Sequence, residues 1–399
     1  MTFQLNDLKE SNEFLNALID NINAAVLVVD RAMRIEQFNH SLEMLFGRSA
    51  DALSGERCGN ALGCVFAVDE NVECGKSSHC HQCVLRRSIL CAFTEKVPRH
   101  KQKLVREVYI QGRALTKYFE YTTGYIVFHG QEMILVIVDD VTESETQKLE
   151  LIEKQNRIDE DLKAAAGIQL SLLPQRPPGI KNLEIAWRFL PCNLIGGDIF
   201  SAFCIGENHL GCYMLDVSGH GVPSSLVAVS VSQALHPSPP FEGVASPREV
   251  CSSLDRDYPF ERFNNFFTIA YLVIDFREGT CVYTNAGHPP SVLLRRTGEI
   301  ELLSEGGPVI GLGGVAPFEE GSKRLAPGDR ILLYTDGVTE HQDPEGELFG
   351  AHRLYAKLRE LRDVALDVMM TQLLDSVMEF GGGEELRDDL SLLGIEYKG

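Results

Sequence analysis

The sequence predicts an α+β protein in which two domains are joined by a helical linker. Its 399 residues exceed what one ordinary hydrophobic core organises. Residues 142 to 173 are charged and free of proline, which favours one long helix that ends where prolines follow. Before this stretch, strands and short helices are indicated, and from residue 180 onwards strand-like runs alternate with turns rich in glycine, proline or aspartate.

Composition and charge exclude several classes of protein. The formal net charge of −20 argues against a nucleic-acid partner, because binding to phosphate backbones normally takes a basic surface. No apolar run approaches the roughly 18 to 20 residues of a membrane span. The first residues lack the basic start and apolar stretch of a secretory signal, so we expect a cytoplasmic protein without membrane contact.

The first domain is expected over residues 1–141 as an antiparallel sheet with helices over one face. An apolar-spaced helix precedes two strand-like runs, Ala24 to Asp30 and Arg34 to Asn39, and a small helix follows them. Two more strand-like runs cover Lys117 to Phe128 and Glu132 to Val138. This order resembles the beginning and the end of a PAS sensor domain, which implies an enclosed pocket and a signalling role.

A cluster of cysteines lies inside this domain. Cys80 and Cys83 have the Cys-x-x-Cys spacing by which two thiolates reach one ion, and Cys64 and Cys74 complete a set of four. Because a cytoplasmic chain is not expected to carry a disulfide framework, the cluster predicts a metal or redox site. Zinc, an iron–sulfur cluster and a thiol–disulfide switch all remain open, and the alternative is a group of small buried hydrophobic residues.

The linker, expected over residues 142–174, has the spacing of a weak coiled coil. Its seam residues, which recur at alternating steps of four and three, are Leu151, Gln155, Ile158, Leu162, Ala165, Gln169 and Leu172. Such a seam predicts a signalling helix that pairs with a second copy in a parallel homodimer. The alternative is a solvated linker helix.

Four turns in the second domain, expected over residues 175–399, carry aspartates. They are Gly196-Gly-Asp198, Asp216-Val-Ser-Gly-His-Gly221, Tyr334-Thr-Asp-Gly-Val-Thr-Glu340 and Arg387-Asp-Asp-Leu-Ser391. Carboxylates at strand ends can converge on one edge of a sheet sandwich, where their repulsion would be costly without cations. Oxygen donors without thiolates or imidazoles suit hard ions such as Mg²⁺ or Mn²⁺.

The acidic turns and several other segments fall in the order found in one family. The other segments are Leu172-Leu-Pro174, Phe267-Thr268 with Tyr271, Asn285-Ala-Gly-His-Pro-Pro290 and Pro327-Gly-Asp329. Together they resemble the catalytic domain of metal-dependent PPM-type serine/threonine phosphatases, in the bacterial branch of stage II sporulation protein E (SpoIIE). The resemblance implies an αββα sandwich with metals at one end.

The resemblance also implies the roles of individual residues around two Mn²⁺ or Mg²⁺ ions. The implied ligands are Asp198, Asp216, the carbonyl of Val217, Asp336, Asp388 and Asp389. Asp216 would bridge the ions, Asp198 would share the first ion with Val217, and the downstream aspartates would hold the second. Asp198, Asp216, Asp336 and Asp388 would form the catalytic set. A water held between the cations would become a hydroxide that attacks phosphorus in line.

The implied function is that of a signal-regulated protein-serine/threonine phosphatase. By resemblance to the branch, its substrate would be a phosphoserine on a small anti-sigma factor antagonist. The alternative is a phosphatase-like module that binds and regulates a signalling partner without turnover.

Four positions depart from the family's pattern or invite a catalytic role. Ser201 stands where the branch often carries a further acid. Arg188 is the basic residue nearest to the place where eukaryotic relatives grip phosphate, but its equivalence has no support in the sequence. We interpret His220 and His288 as loop braces rather than as an acid and a base.

Overall fold

The computed structural model describes residues 17–128, 130–174, 179–219, 221–235 and 245–399. Contacts divide the chain into two compact units, with the boundary between Asn156 and Arg157. This boundary falls inside one long helix, the predicted linker.

The first unit is built on a five-stranded antiparallel sheet. The strands are β1 (Ala25–Val29), β2 (Ile35–Phe38), β3 (Arg99–Ile110), β4 (Arg113–Phe128) and β5 (Gln131–Asp140). Their order across the sheet is β2-β1-β5-β4-β3, so β5 lies between β1 and β4 and joins the hairpin of β1 and β2 to the strands near the end of the domain. The strands expected at both ends of the domain are therefore confirmed, whereas β3 was not predicted.

Short helices cover this sheet. They are α1 (His40–Phe46), α2 (Ala50–Leu53), α3 (Cys58–Ala61), α4 (Val65–Asp69), a 3₁₀ turn (Cys80–Gln82) and α5 (Val84–Glu95). The core of the unit includes Phe46 from α1, Ile89 from α5 and Phe119 from β4, all buried. Ser88 on α5 also shares a 2.8 Å hydrogen bond with the Tyr121 hydroxyl of β4, which satisfies two buried polar groups.

The linker is a single helix of 31 residues, α6 (Thr142–Leu172). Most of its side chains are exposed, including the apolar Leu151 and Ile158 of the predicted seam. Gln169 is the exception, since only 5% of its surface is exposed. The pairing of this helix with a second copy in a coiled coil stays a prediction.

The second unit contains two sheets. Their strands are β6 (Leu183–Leu190), β7 (Ile199–Ile205), β8 (His209–Val217), β9 (Phe267–Asp275), β10 (Thr280–Ala286), β11 (Ser291–Leu294), β12 (Ile300–Leu303), β13 (Gly306–Gly307), β14 (Gly321–Arg324), β15 (Arg330–Tyr334) and β16 (Leu390–Tyr397). The first sheet has the order β13-β10-β9-β8-β7, with β14 also paired to β10, and the second has the order β12-β11-β15-β16-β6. The pairing is antiparallel except between β13 and β10, which are parallel. Both sheets contribute side chains to one shared core.

Helices cover the outer faces of the two sheets. They are α7 (Val222–Leu235), α8 (Pro247–Asp257), α9 (Phe260–Phe263), α10 (Asp336–Thr339), α11 (Gly350–Glu360) and α12 (Leu366–Phe380). Strand β15 explains the layering, because its alternate residues point to opposite faces. Ile331 and Leu333 enter the core between the sheets, whereas Leu332 packs under α11 and α12. The predicted αββα arrangement is confirmed.

Within the described ranges, no helix combines the length and the apolar character needed to cross a membrane.

Candidate active site

Four chain segments bring the predicted aspartates to one end of the second unit. Asp216 lies in β8, Asp198 immediately precedes β7, and Asp336 begins α10 directly after β15. Asp388 and Asp389 stand just before β16. The carboxylates form a graded set, because Asp198 and Asp389 are buried at 2% exposure each while Asp388 is exposed.

Glycines allow these segments to approach one another. A Cβ atom on Gly197 would lie 2.7 Å from the carbonyl oxygen of Val217 and 3.4 Å from a carboxylate oxygen of Asp216. A side chain at position 197 would therefore push apart the two segments that carry Asp198 and Asp216. After β8 the chain turns through Gly219, whose φ of 85° is unfavourable for other residues.

Asp389 holds the loop before β7 through backbone contacts. Its carboxylate accepts a hydrogen bond from the backbone N–H of Cys192 at 3.0 Å and another from that of Asp198 at 3.3 Å. A Cβ atom on Gly196 would come within 1.7 Å of the same carboxylate. Asp389 thus braces the loop and faces inward, whereas its neighbour Asp388 is open to solvent.

Ser391 contacts Asp198 directly, and Gln169 contacts the segment that precedes it. The Ser391 hydroxyl, at the start of β16, donates a hydrogen bond of 2.6 Å to its carboxylate. The segment before it is held by Gln169 of the linker helix, whose amide nitrogen donates to the Gly196 carbonyl at 2.9 Å and whose amide oxygen accepts from the Gly196 N–H at 3.2 Å. The end of α6 is therefore joined directly to the loop that carries Asp198.

Burial and mutual repulsion raise the pKa values of the aspartates in this cluster. Burial, followed by the charges of Asp336, Asp388 and Asp389, raises the pKa of Asp216 to about 7 from an ordinary value of 3.8. The pKa of Asp198 is raised well above its ordinary value by burial and then by Asp216 and Asp389. The carboxylates lie near enough to repel one another, which is the condition that a bound cation would relieve.

Comparisons with known proteins identify both units. Residues 206–398 match the family model of stage II sporulation protein E, and residues 13–78 match a PAS domain model. The chain combines a PAS domain with a SpoIIE-type phosphatase domain. The SpoIIE match includes the segments of Asp216, Asp336, Asp388 and Asp389 but begins after Asp198.

Curated relatives share part of this organisation. The chain is 26% identical over 267 residues to "Protein IcfG" of Synechocystis sp. (strain ATCC 27184 / PCC 6803 / Kazusa), covering 59% of this chain and 41% of that protein. It is 29% identical over 211 residues to "Phosphoserine phosphatase RsbP" of Bacillus subtilis (strain 168), covering 51% of this chain and 50% of that protein. The matched region is thus about half or less of each relative.

A solved structure supports the fold of the SpoIIE-type domain. The "SiaA-PP2C domain of Pseudomonas aeruginosa" aligns with a TM-score of 0.54 and 22% identity, covering 61% of this chain and 99% of that domain. The likeness concerns the fold alone.

The donor set of the SpoIIE-type domain fits a hard divalent cation. All of its candidate ligands are oxygens, from the carboxylates of Asp198, Asp216, Asp336 and Asp388 and the carbonyl of Val217. Across the described ranges, no three histidine, cysteine, aspartate or glutamate side chains are arranged to hold a metal ion by themselves. Mg²⁺ does not need such a cage, because it keeps several waters and binds through one or two carboxylates.

Three other residues singled out in the sequence have contacts or burial that do not indicate a catalytic role. His288 is buried, its ring Nδ1 lies 2.8 Å from the Thr268 hydroxyl, and burial lowers its pKa to about 3, so it remains neutral. The Arg188 guanidinium contacts Asp367 at 2.8 Å on α12. Ser201 is buried inside β7. His220 lies outside the described residues.

Sequence reasoning missed two supporting residues of the site. Gln169 was assigned to the seam of the linker, but a glutamine at a core-like position is itself a signal that its amide has a polar partner. Ser391 lies at the start of β16, two residues after Asp389, which immediately precedes the strand. Both residues position the loop or the carboxylate of Asp198.

The predicted cysteines also come together, within the PAS unit. Cys64, Cys74, Cys80 and Cys83 line one cavity, and Cys58 lines it as well. All five are free thiols.

Proposed function

We propose that this protein is a metal-dependent protein-serine/threonine phosphatase whose activity is regulated by its PAS domain. The observation that carries the proposal is the convergence of Asp198, Asp216, Asp336 and Asp388 from four separate segments of a SpoIIE-type domain. Nothing in the packing of the fold requires four carboxylates at one end of two sheets, and their repulsion lowers the stability of the metal-free protein.

The proposed chemistry assigns the aspartates as ligands of two divalent cations, Mn²⁺ or Mg²⁺. When bound, these cations would activate a water and neutralise the phosphoryl oxygens during in-line displacement. Asp216 and the Val217 carbonyl present their oxygens at the end of β8, and Asp336 and Asp388 present theirs from the other sheet. Asp198 is held ready by Ser391, with Asp389 bracing its loop.

The substrate is proposed to be a phosphoserine on a partner protein. The relative RsbP carries the name phosphoserine phosphatase, and an anti-sigma factor antagonist is the partner that the family resemblance implies. We place the reaction in the cytoplasm, where such a partner would be found.

The regulatory path is proposed to run along the linker helix. The division into residues 1–141, 142–174 and 175–399 gives a sensor, a transmitter and a phosphatase. Exposed apolar residues on α6, among them Leu151 and Ile158, support pairing with a second copy in a homodimer. The hydrogen bonds from Gln169 to Gly196 would carry a movement of the helix to the loop of Asp198.

The test is turnover of a phosphoserine peptide by the purified chain with Mn²⁺, with a chelator, and as Asp216→Asn. We expect turnover that needs both the metal and Asp216. Asp363→Asn is the matched control, because this carboxylate has 81% of its side chain exposed and lies outside the cluster. Turnover that continues in the chelator would contradict the metal-dependent chemistry. No turnover by the wild-type chain at any metal concentration would replace the proposal with the binding-module alternative.

A further inference from the structure

The cysteine-lined cavity of the PAS unit is the strongest site that the phosphatase reaction does not use. Its thiols are Cys58, Cys64, Cys74, Cys80 and Cys83, and much of the remaining lining is apolar, including Leu62, Leu104, Val108 and Phe119. Cys58 begins α3, Cys64 immediately precedes α4, Cys74 lies in the loop after α4, Cys80 begins the 3₁₀ turn and Cys83 immediately precedes α5. Several thiols facing one apolar cavity are more than a packed core requires.

Local geometry brings these thiols close together. The Cys74 Sγ lies 2.6 Å, and the Cys64 Cβ 3.7 Å, from the position that a Cβ atom on Gly59 would occupy. Only glycine at position 59 allows Cys74 to approach α3, the helix that begins at Cys58. The absence of a side chain at 59 therefore serves the assembly of the cluster.

Donors and positive charge around the sulfurs favour thiolates. The Gly75 backbone N–H donates a 3.1 Å hydrogen bond to Cys80 Sγ, and the guanidinium groups of Arg86 and Arg106 line the same cavity. Hydrogen bonds to sulfur are also a means by which proteins tune thiolate-bound metal clusters.

Contacts link the thiols of Cys58, Cys74 and Cys80 around the cavity. Cys74 packs against Gly59, the chain neighbour of Cys58, and Cys80 Sγ accepts a hydrogen bond from the N–H of Gly75, the chain neighbour of Cys74. Cys83 lines the same cavity and completes a set of four. Cys58, at 2% exposure, is more deeply buried than the half-buried Cys64.

The spacing of these thiols disfavours a single ion. In the described part of the chain, no group of three or more potential ligands is arranged to hold one metal ion. A zinc site draws four thiolates to about 2.3 Å from one centre. An iron–sulfur cluster distributes its thiolates over several irons, so its ligands surround a volume instead of a point.

We propose that Cys58, Cys74, Cys80 and Cys83 bind an iron–sulfur cluster in this cavity. Each thiol gives up its proton on ligation and becomes a thiolate ligand of one iron. Arg86 and Arg106 offset the negative charge of the thiolate-bound cluster, and the apolar lining limits access of water. This assignment replaces Cys64, predicted from spacing, with Cys58.

The experiment measures iron, acid-labile sulfide and zinc in the full chain purified without oxygen. We expect iron and sulfide in equal amounts, about two or about four of each per chain for a four-thiolate cluster, together with visible absorption that a reductant bleaches. A metal-free preparation is reconstituted with ferrous iron and sulfide and, in parallel, with zinc chloride. Stoichiometric zinc without sulfide, or a wild-type chain that takes up no cluster in either way, would overturn the proposal.

Single substitutions then assign the ligands. Cys74→Ser and Cys80→Ser should lose most of the iron and the visible absorption. Cys91→Ser is the matched control, because this half-buried cysteine lies on α5 but does not line the cavity. Cys64→Ser should also retain the cluster, and its loss there with retention in Cys58→Ser would refute the ligand set. Because the wild-type metal content decides first, misfolding of a variant does not leave the question open.

Discussion

Gln169→Leu should lower the free energy of unfolding of the SpoIIE-type domain, although this residue lies on the linker helix and outside the aspartate segments. The wild-type amide makes two hydrogen bonds with the backbone of Gly196, at 2.9 and 3.2 Å, and is almost fully buried. Leucine has a similar size but leaves the Gly196 N–H and carbonyl without these partners. Each unsatisfied buried group costs about 1–3 kcal/mol, so we expect a loss of about 2–4 kcal/mol after partial compensation by apolar burial.

The same substitution should impair activity through Asp198, which follows Gly196 by two residues. A looser loop positions this carboxylate less well, so more Mn²⁺ should be needed for half-maximal turnover of a phosphoserine peptide. Urea unfolding gives the stability change, and a metal titration of turnover gives the change in activation.

The matched control is Gln147→Leu, which alters an exposed glutamine on the same helix. It should leave both the unfolding midpoint and the metal titration unchanged. If Gln169→Leu also left both quantities unchanged, the contact between the linker helix and the loop would have no energetic role, and the proposed regulatory path would be refuted.

Other perturbations test the site from different directions. Gly196→Ala should unfold at lower urea concentration and lose turnover, because its Cβ would collide with the Asp389 carboxylate at 1.7 Å; normal behaviour would show that the loop adapts freely. Asp216→Asn should raise the melting temperature in chelator at pH 8, by relieving repulsion, yet gain nothing from Mn²⁺. Removing residues 1–141 should change the rate without abolishing Mn²⁺-dependent turnover, and equal rates would contradict regulation by the PAS domain. His288 has a pKa of about 3 in the folded protein against an ordinary 6.5, so between these pH values only the unfolded state binds a proton at this residue. The free energy of unfolding should therefore fall as the pH is lowered from 7 to 5, by up to about 1.4 kcal/mol per pH unit from this residue. Urea unfolding at both pH values should show a smaller fall for His288→Asn than for the wild type.

Much of the fold could be predicted because the preference of residues for strands is a local property. The runs that became β4 and β5 are rich in aromatic or β-branched residues, and their predicted ends lie within about four residues of the observed ends. β3 was missed because its sequence, Arg99 to Ile110, is rich in charge, and it lies at the edge of the sheet where lysines are tolerated. An edge strand has one paired side only, so its sequence carries less of the apolar signal.

The site could be predicted as a set of aspartates but not as a set of contacts. Motif order identified Asp216 and its companions, whereas the inward orientation of Asp389 depends on the packing of β16 against the loop of Gly196. Gln169 illustrates the same limit, because heptad spacing describes a helix surface and not what that surface meets. Cys58 was outside the predicted set of four for a similar reason, since it lines the cavity through the fold and not through a spacing motif.

The position of β16 in its sheet has a consequence for how the protein is made. This strand lies between β15 and β6, and Leu390 pairs with Leu190, which a ribosome produces far earlier. At translation rates of ~5–20 residues per second, β6 waits about 10 to 40 s for its partner. During that interval an apolar strand edge is open to other nascent chains, and we expect chaperones to be needed most while residues 191 to 390 are being synthesised.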